Sequence, residues 1–155
     1  MRVAFYHGPE ESWFGRGVAF LTKGPFTHVE LLFSDGMCFS STENEGGCRF
    51  KKIDMDFSRW VILEIDCPED KIRKFCEQRE FCKYDWFGLL GFILRRNTDR
   101  KNRYYCSEVC AEAMSIEGVI KFKPLLSPNT LYWKLKRSGR VTREIMKPAF
   151  LTCCI

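Results

Sequence analysis

Histidine is scarce in this 155-residue chain, with only His7 and His28, and none of its nine cysteines belongs to a Cys-x-x-Cys pair. Those two shortages argue against a structural zinc site, whose ligands would have to come from unrelated segments. Long apolar runs are missing too. The longest candidate, "WFGLLGFIL" from Trp86 to Leu94, has nine residues, too few to span a bilayer, and reads as a buried helix. The opening "MRVAFYHGPEESWFGRG" lacks the uninterrupted apolar centre and small-residue cleavage site of a secretory signal, so a cytoplasmic site is expected. With no internal repeat or low-complexity segment, a single domain over residues 1–155 is expected.

Acidic residues are nearly absent from the last part of the chain. From residue 121 onward only Glu144 is acidic, against eight Lys or Arg, so the net charge of +5 is concentrated there. A basic stretch over residues 121–147 can take an anionic partner such as nucleic acid, lipid or cell-wall polymer. A solvated face with no dedicated partner explains it more simply. The odd cysteine count fits reduced thiols packed as small apolar groups. The terminal "TCCI" lacks the cysteine four positions from the end that prenylation requires, and it has no assignment.

What is present is a mixture of strand and helix signals. "RVAFY" reads as a strand, and "EESWFGRGVAFLTK" has helical spacing weakened by Gly15 and Gly17. "THVELLFSDGMCFSST" reads as a hairpin turning at Asp35-Gly36, followed by strands in "CRFKKI" and "RWVILEID". Asp66, Pro68 and Glu69 look like the cap, first-turn proline and early acid of a helix whose period runs through Ile72, Phe75, Cys76 and Arg79. "YDWFGLLGFILRR" is a further apolar helix, and the polar residues 95–103 form a surface loop. Ser127, Pro128 and Gly139 bracket another helix, and "RVTREI" closes the domain as a strand. Hairpins mixed with separate helices point to an α+β fold.

The chemistry centres on "YYCSEVCAEAM", where Cys106 directly precedes a helix with Val109, Cys110, Ala113 and Met114 on its apolar face. A thiolate is favoured at a helix N-terminus beside an imidazolium, and the first backbone N–H groups of that helix can meet an oxyanion. His28 lies on a strand, which can hold an imidazole in fixed orientation, whereas His7 sits beside Gly8 and Pro9 in a loop. The separation of Cys106 and His28 does not by itself make them a dyad.

Together, "THVELLFSDG" with His28, "YDWFGLLGF", and "YYCSEVCAEA" with Cys106 resemble the permuted papain-like (NlpC-type, YiiX-like) cysteine peptidases and amidases, which include small bacterial and bacteriophage members. The resemblance covers most of residues 15–135. It includes the order of elements, His28 before Cys106, as in the circularly permuted branch. It implies an α+β, circularly permuted papain-like fold with an antiparallel sheet packed against helices. It also implies Cys106 as nucleophile, His28 as general base and then leaving-group acid, and no metal or organic cofactor. For the residue that orients the imidazole, the related lecithin:retinol acyltransferase group places a polar residue, often histidine, twelve positions beyond the catalytic histidine. Here that position is Ser40. Other permuted members use a carboxylate on that strand, and Glu43 is available; with Ser34 opposite Met37, Glu43 falls across from His28. A one-residue bulge favours Ser40 instead. Glu43 ranks first, Ser40 second, and Glu30, on His28's own strand, third. Tyr105 is a candidate for lining the acyl site, although a buried aromatic before a helix is the commoner role.

The expected function is therefore a thiol hydrolase acting on an amide bond of a peptide, with a cell-wall peptide reached by phage or other delivery machinery as one expected substrate. Acyl transfer to or from a lipid uses the same thioester intermediate. The rivals are a binding or inhibitory module that keeps the fold without turnover, and a nucleic-acid binder using the basic stretch with Tyr132 and Trp133.

Overall fold

The computed structural model describes residues 1–8, 24–85, 102–124 and 126–146. Along the chain these form β1 (Arg2–His7), β2 (Phe26–Leu32), β3 (Met37–Thr42), β4 (Gly47–Lys52), β5 (Trp60–Ile65), α1 (Asp70–Glu77), β6 (Lys83–Tyr84), β7 (Arg103–Tyr104), α2 (Cys106–Ile116), α3 (Pro128–Lys136) and β8 (Val141–Ile145). The strands make one sheet in the order β7-β6-β4-β3-β2-β1-β5-β8, antiparallel at every pairing but β6 with β7. The result is an α+β fold. The helix expected over "EESWFGRGVAFLTK", most of that over "YDWFGLLGFILRR", and the terminal "TCCI" lie outside the described residues. No helix among the described residues is long and apolar enough to cross a membrane.

Side chains of a strand alternate between the two faces of its sheet, and here both faces are covered near the centre. Val3, Phe5, Val29, Leu31, Val61 and Leu63 join the main core with the helices, while Ala4, Leu32, Cys38, Trp60 and Ile62 gather on the other side. Helix α2 packs against β2 and β3 through Val109, Cys110, Ala113 and Met114, as its apolar spacing requires. Helix α3 starts as expected: the Ser127 hydroxyl accepts from the Thr130 amide at 3.1 Å, with Pro128 in the first turn. Tyr132 turns into the core against Phe5 and Phe26, which leaves Trp133 as the exposed aromatic of that helix.

Two local expectations are corrected. Helix α1 begins at Asp70 rather than after an Asp66 cap, and its cap position, Glu69, makes no capping bond. The Glu69 carboxylate instead accepts from the Ser34 amide at 3.2 Å, tying the helix to the β2–β3 turn. The helix also ends before Arg79, whose guanidinium stacks on Phe75 at 3.6 Å and bonds Glu112 at 3.2 Å. The hairpin turn is one residue longer than expected. Phe33 N–H donates to the Met37 carbonyl at 2.9 Å, so Ser34, Asp35 and Gly36 form the loop, with Gly36 at φ +82°. Leu32 therefore pairs with Cys38, and a one-residue change of register moves every β3 side chain to the opposite face.

Strand β6 lies close on β4 because Gly47, at φ +153°, has no side chain: a Cβ there would come 1.9 Å from the Cys82 carbonyl oxygen. Gly47→Ala is expected to cost about 2 kcal/mol or more through this clash and the strained backbone. Urea unfolding checks it, and an unchanged midpoint would show that the contact is not needed.

Candidate active site

Cys106 is the first residue of α2 and is 8% exposed. Its position is set by the strand before it. The Tyr104 carbonyl accepts from the Ser41 hydroxyl of β3 at 2.6 Å and from the Asp85 amide at 3.1 Å, which holds β7 against the sheet just ahead of the helix. Tyr105 then takes an extended conformation (φ −102°, ψ 166°) as the cap, and its carbonyl receives the amides of Glu108 and Val109. The Tyr105 ring is 4% exposed, and burial first among several causes pushes its phenol up.

His28 is on β2. The ladder between β2 and β3 contains only the pairs Leu31 with Phe39 and Leu32 with Cys38, so it stops short of His28. The Val29 carbonyl is met instead by side chains, the Ser40 hydroxyl at 2.7 Å and the Cys110 thiol at 3.9 Å. Where the strands part, α2 packs over both, and the Cys106 thiol is within hydrogen-bonding reach of the His28 ring. The imidazole is 15% exposed and stands edge-on to Trp60, with ring centroids 6.4 Å apart.

The ring's other partner is Glu30. His28 Nε2 is 2.7 Å from Glu30 Oε1, two residues along the same strand and on the same face. That pairing leaves Nδ1 as the ring nitrogen for the thiol. Glu30 has no solvent exposure, and the neighbouring apolar cluster contains Ala4, directly opposite it in the ladder, with Leu32 and Cys38. A carboxylate so placed must be matched by cations. Arg49 of β4 supplies a second one, with Nη1 on Oε2 at 2.8 Å and Nη2 on Oε1 at 2.6 Å.

Burial alone would lower the pKa of His28, but negative charge on Cys106 and Glu30, with hydrogen bonds to both, raises it to about 10. Burial would raise Glu30, and the His28 and Arg49 hydrogen bonds outweigh it and hold the carboxyl below its ordinary range. His7, at the end of β1, is lowered by burial. The other described cysteines are all raised chiefly by burial: Cys38 to about 11, Cys48 to about 12, and Cys67, Cys76, Cys82 and Cys110 in the same direction.

Of the residues singled out from sequence, Cys106, His28 and Tyr105 come together at the start of α2. Ser40 is buried and donates to Val29. Glu43 falls in the turn after β3, and the observed register, continued, would set Thr42 rather than Glu43 across from His28. Glu30 holds the contact to the imidazole. Arg49 was not anticipated; a charged residue in the strand "CRFKKI", beside a strand carrying Glu30 among apolar neighbours, was the available signal.

No protein-family model matches this sequence, and no curated protein matches it. Among solved structures, the fold is similar to that of the metalloprotein yiiX from Escherichia coli O157:H7, with a TM-score of 0.57 at 12% identity, over 96% of this chain and 88% of that one. The likeness is distant and nearly full-length, and it is to a YiiX protein, the kind named in the sequence resemblance. For a metal ion the residues here do not fit. Among the described residues no three His, Cys, Asp or Glu side chains gather as ligands, and Arg49 and His28 already engage both Glu30 oxygens.

Because the His28 pKa stands above its unfolded value of 6.5, its stabilisation is complete below about pH 6.5, shrinks as pH rises and is gone above about 10. Glu30, held below 4.5, contributes above that value and loses its contribution as pH falls through its folded pKa. Followed by NMR, the His28 ring should titrate well above 6.5 and the His7 ring below it. An ordinary value for His28 would contradict the assignment.

Proposed function

We propose that the protein is a thiol hydrolase in which Cys106 attacks an amide or related acyl carbonyl, His28 handles the proton and Glu30 orients the imidazole. The supporting observation is geometric: Cys106, the first residue of α2, lies within hydrogen-bonding reach of a His28 ring whose Nε2 is 2.7 Å from the buried Glu30 carboxylate.

A raised His28 pKa means that the proton is on the ring before substrate arrives. The cysteine sulfur attacks the carbonyl carbon, and the negative charge moves to the carbonyl oxygen, facing the first amides of α2. Collapse breaks the bond to the leaving group, which takes the His28 proton, and the acyl group remains on Cys106 as a thioester. Neutral His28 then removes a proton from water, the hydroxide attacks the thioester, and the released acid leaves the thiolate and imidazolium restored. Glu30 on Nε2 keeps Nδ1 directed at the sulfur throughout, a role assigned to it here in place of Glu43 or Ser40. Tyr105, buried as the helix cap, serves to shape the turn that presents Cys106.

Iodoacetamide alkylation, read by peptide mass spectrometry near pH 7, tests the nucleophile. Cys106 should react at least about tenfold faster than any other cysteine and lose that lead in folded His28→Ala. p-Nitrophenyl acetate should leave an acetyl group on Cys106, and none in Cys106→Ala. A slow Cys106, or one indifferent to His28, would sink the enzyme reading and leave a binding module on the same fold.

A further inference from the structure

Arg49 lies between two carboxylates. Its Nη1 and Nη2 hold both oxygens of Glu30, and its Nε bonds Glu45, which also accepts from Lys51 Nζ at 2.6 Å. Starting at His28, the charges alternate along one line: imidazolium, Glu30, Arg49, Glu45, Lys51. Exposure rises from 0% at Glu30 to 14% at Arg49, 31% at Glu45 and 56% at Lys51. The line runs from the sheet interior to solvent along β4, on the face that Arg49 shares with Ser40 across the ladder. A planar guanidinium can fix a carboxylate in two directions at once, which an ammonium cannot.

We infer that Arg49 is a positioning residue for the proposed reaction: by clamping both oxygens of Glu30 and anchoring itself on Glu45, it fixes the ring plane of His28 toward Cys106. This rests on the reading of Cys106 and His28 as the reacting pair. Glu30 alone has one covalent tether and two free side-chain torsions to the carboxyl, so it could turn away from the imidazole without losing its place on the strand. With Arg49 engaged on both oxygens, only one orientation keeps every hydrogen bond. The groups facing Glu30 are His28 on its own strand, the Cys38 thiol of β3, Arg49 of β4 and the Cys110 thiol of α2. Arg49 and His28 are the cations among them, and the two thiols are held neutral by burial.

Two measurements on the full chain test this: the ring N–H proton of His28 in ¹⁵N-edited NMR near pH 7, with His7 as internal reference, and the Cys106 alkylation rate by iodoacetamide. In wild type the His28 Nε2–H should be visible because Glu30 shields it from exchange. In Arg49→Gln it should broaden away, and Cys106 alkylation should drop about tenfold or more, the effect of losing a charge-assisted hydrogen bond. Arg49→Lys, which keeps the charge and loses the fork, should fall between the two. Glu30→Gln should match Arg49→Gln, and the double variant, which removes both buried charges, should be no slower than either single one. A folded Arg49→Gln with wild-type signal and rate overturns the inference, as does a double variant slower than both singles. Should Arg49→Gln fail to fold, Arg49→Lys decides, and wild-type behaviour there overturns it. Slow alkylation in wild type counts against the nucleophile reading alone, because the His28 ring signal still reports whether Arg49 holds Glu30.

Discussion

The arrangement around the site depends on a carboxylate that has no access to water. Glu30 sits in the middle of β2, with apolar residues on the adjoining face, and an unpaired charge there would cost several kcal/mol. Two cations from different places offset that cost. His28 comes from the same strand, and Arg49 comes from a strand two places away in the sheet. The long arm of Arg49 reaches past β3 because the small Ser40 lies directly opposite it in the β3–β4 ladder. Ala4, on the other side, leaves room where a larger residue would crowd the carboxylate. Burial, pairing and side-chain size thus agree on one rotamer for Glu30, and the imidazole inherits its orientation from it.

The second constraint is where β2 and β3 stop pairing. Had the ladder continued to His28, β3 backbone would have occupied the space into which α2 fits. The lost backbone bonds are replaced by side chains, Ser40 and Cys110 on the Val29 carbonyl and Ser41 on that of Tyr104. The Cys110 and Ser41 bonds also fix the helix and the strand leading into it, and Ser40 ties β3 to β2. Gly47 contributes from further away, since its missing side chain lets β6 close on β4 and carry β7, and so Cys106, toward the sheet.

Much of this was legible in the residues and some was not. Alternation and turn chemistry were enough for β1 to β5, and Ser127-Pro128 was enough for the start of α3, because these signals are local. The hairpin register was misjudged by one residue. Asp35-Gly36 suits a two-residue loop, but it suits equally the three-residue loop in which Gly36 takes the left-handed position. That single residue decided which β3 side chains share a face with His28, and it lay behind the ranking of Glu43. The start of α1 was misplaced for a different reason: Glu69 is drawn to Ser34, a tertiary contact that no local pattern reveals. The contact of Glu30 with His28 ranked low because an acid two residues from a histidine carries little signal until its surroundings are known to be buried. Arg49 could not be paired with it before the sheet order was known.

The contrast between Cys106 and Cys110 shows how little of a thiol's chemistry is set by its being a cysteine. They stand four residues apart on one helix face and share a core cluster. Cys110 is one turn in, where the N-terminal dipole has largely faded and its thiol donates to the Val29 carbonyl, so burial pushes it well up. Cys106 is at the helix start, against an imidazolium whose charge is sustained from behind by Glu30 and Arg49. The same apolar packing that pushes up the Cys110 thiol strengthens the ion pairing of His28 with Glu30 beside Cys106, because low polarisability penalises an isolated charge and magnifies a matched one. The surroundings of each thiol are therefore a property of position along α2, and that position is fixed by Tyr104, Ser41 and the parting of two strands.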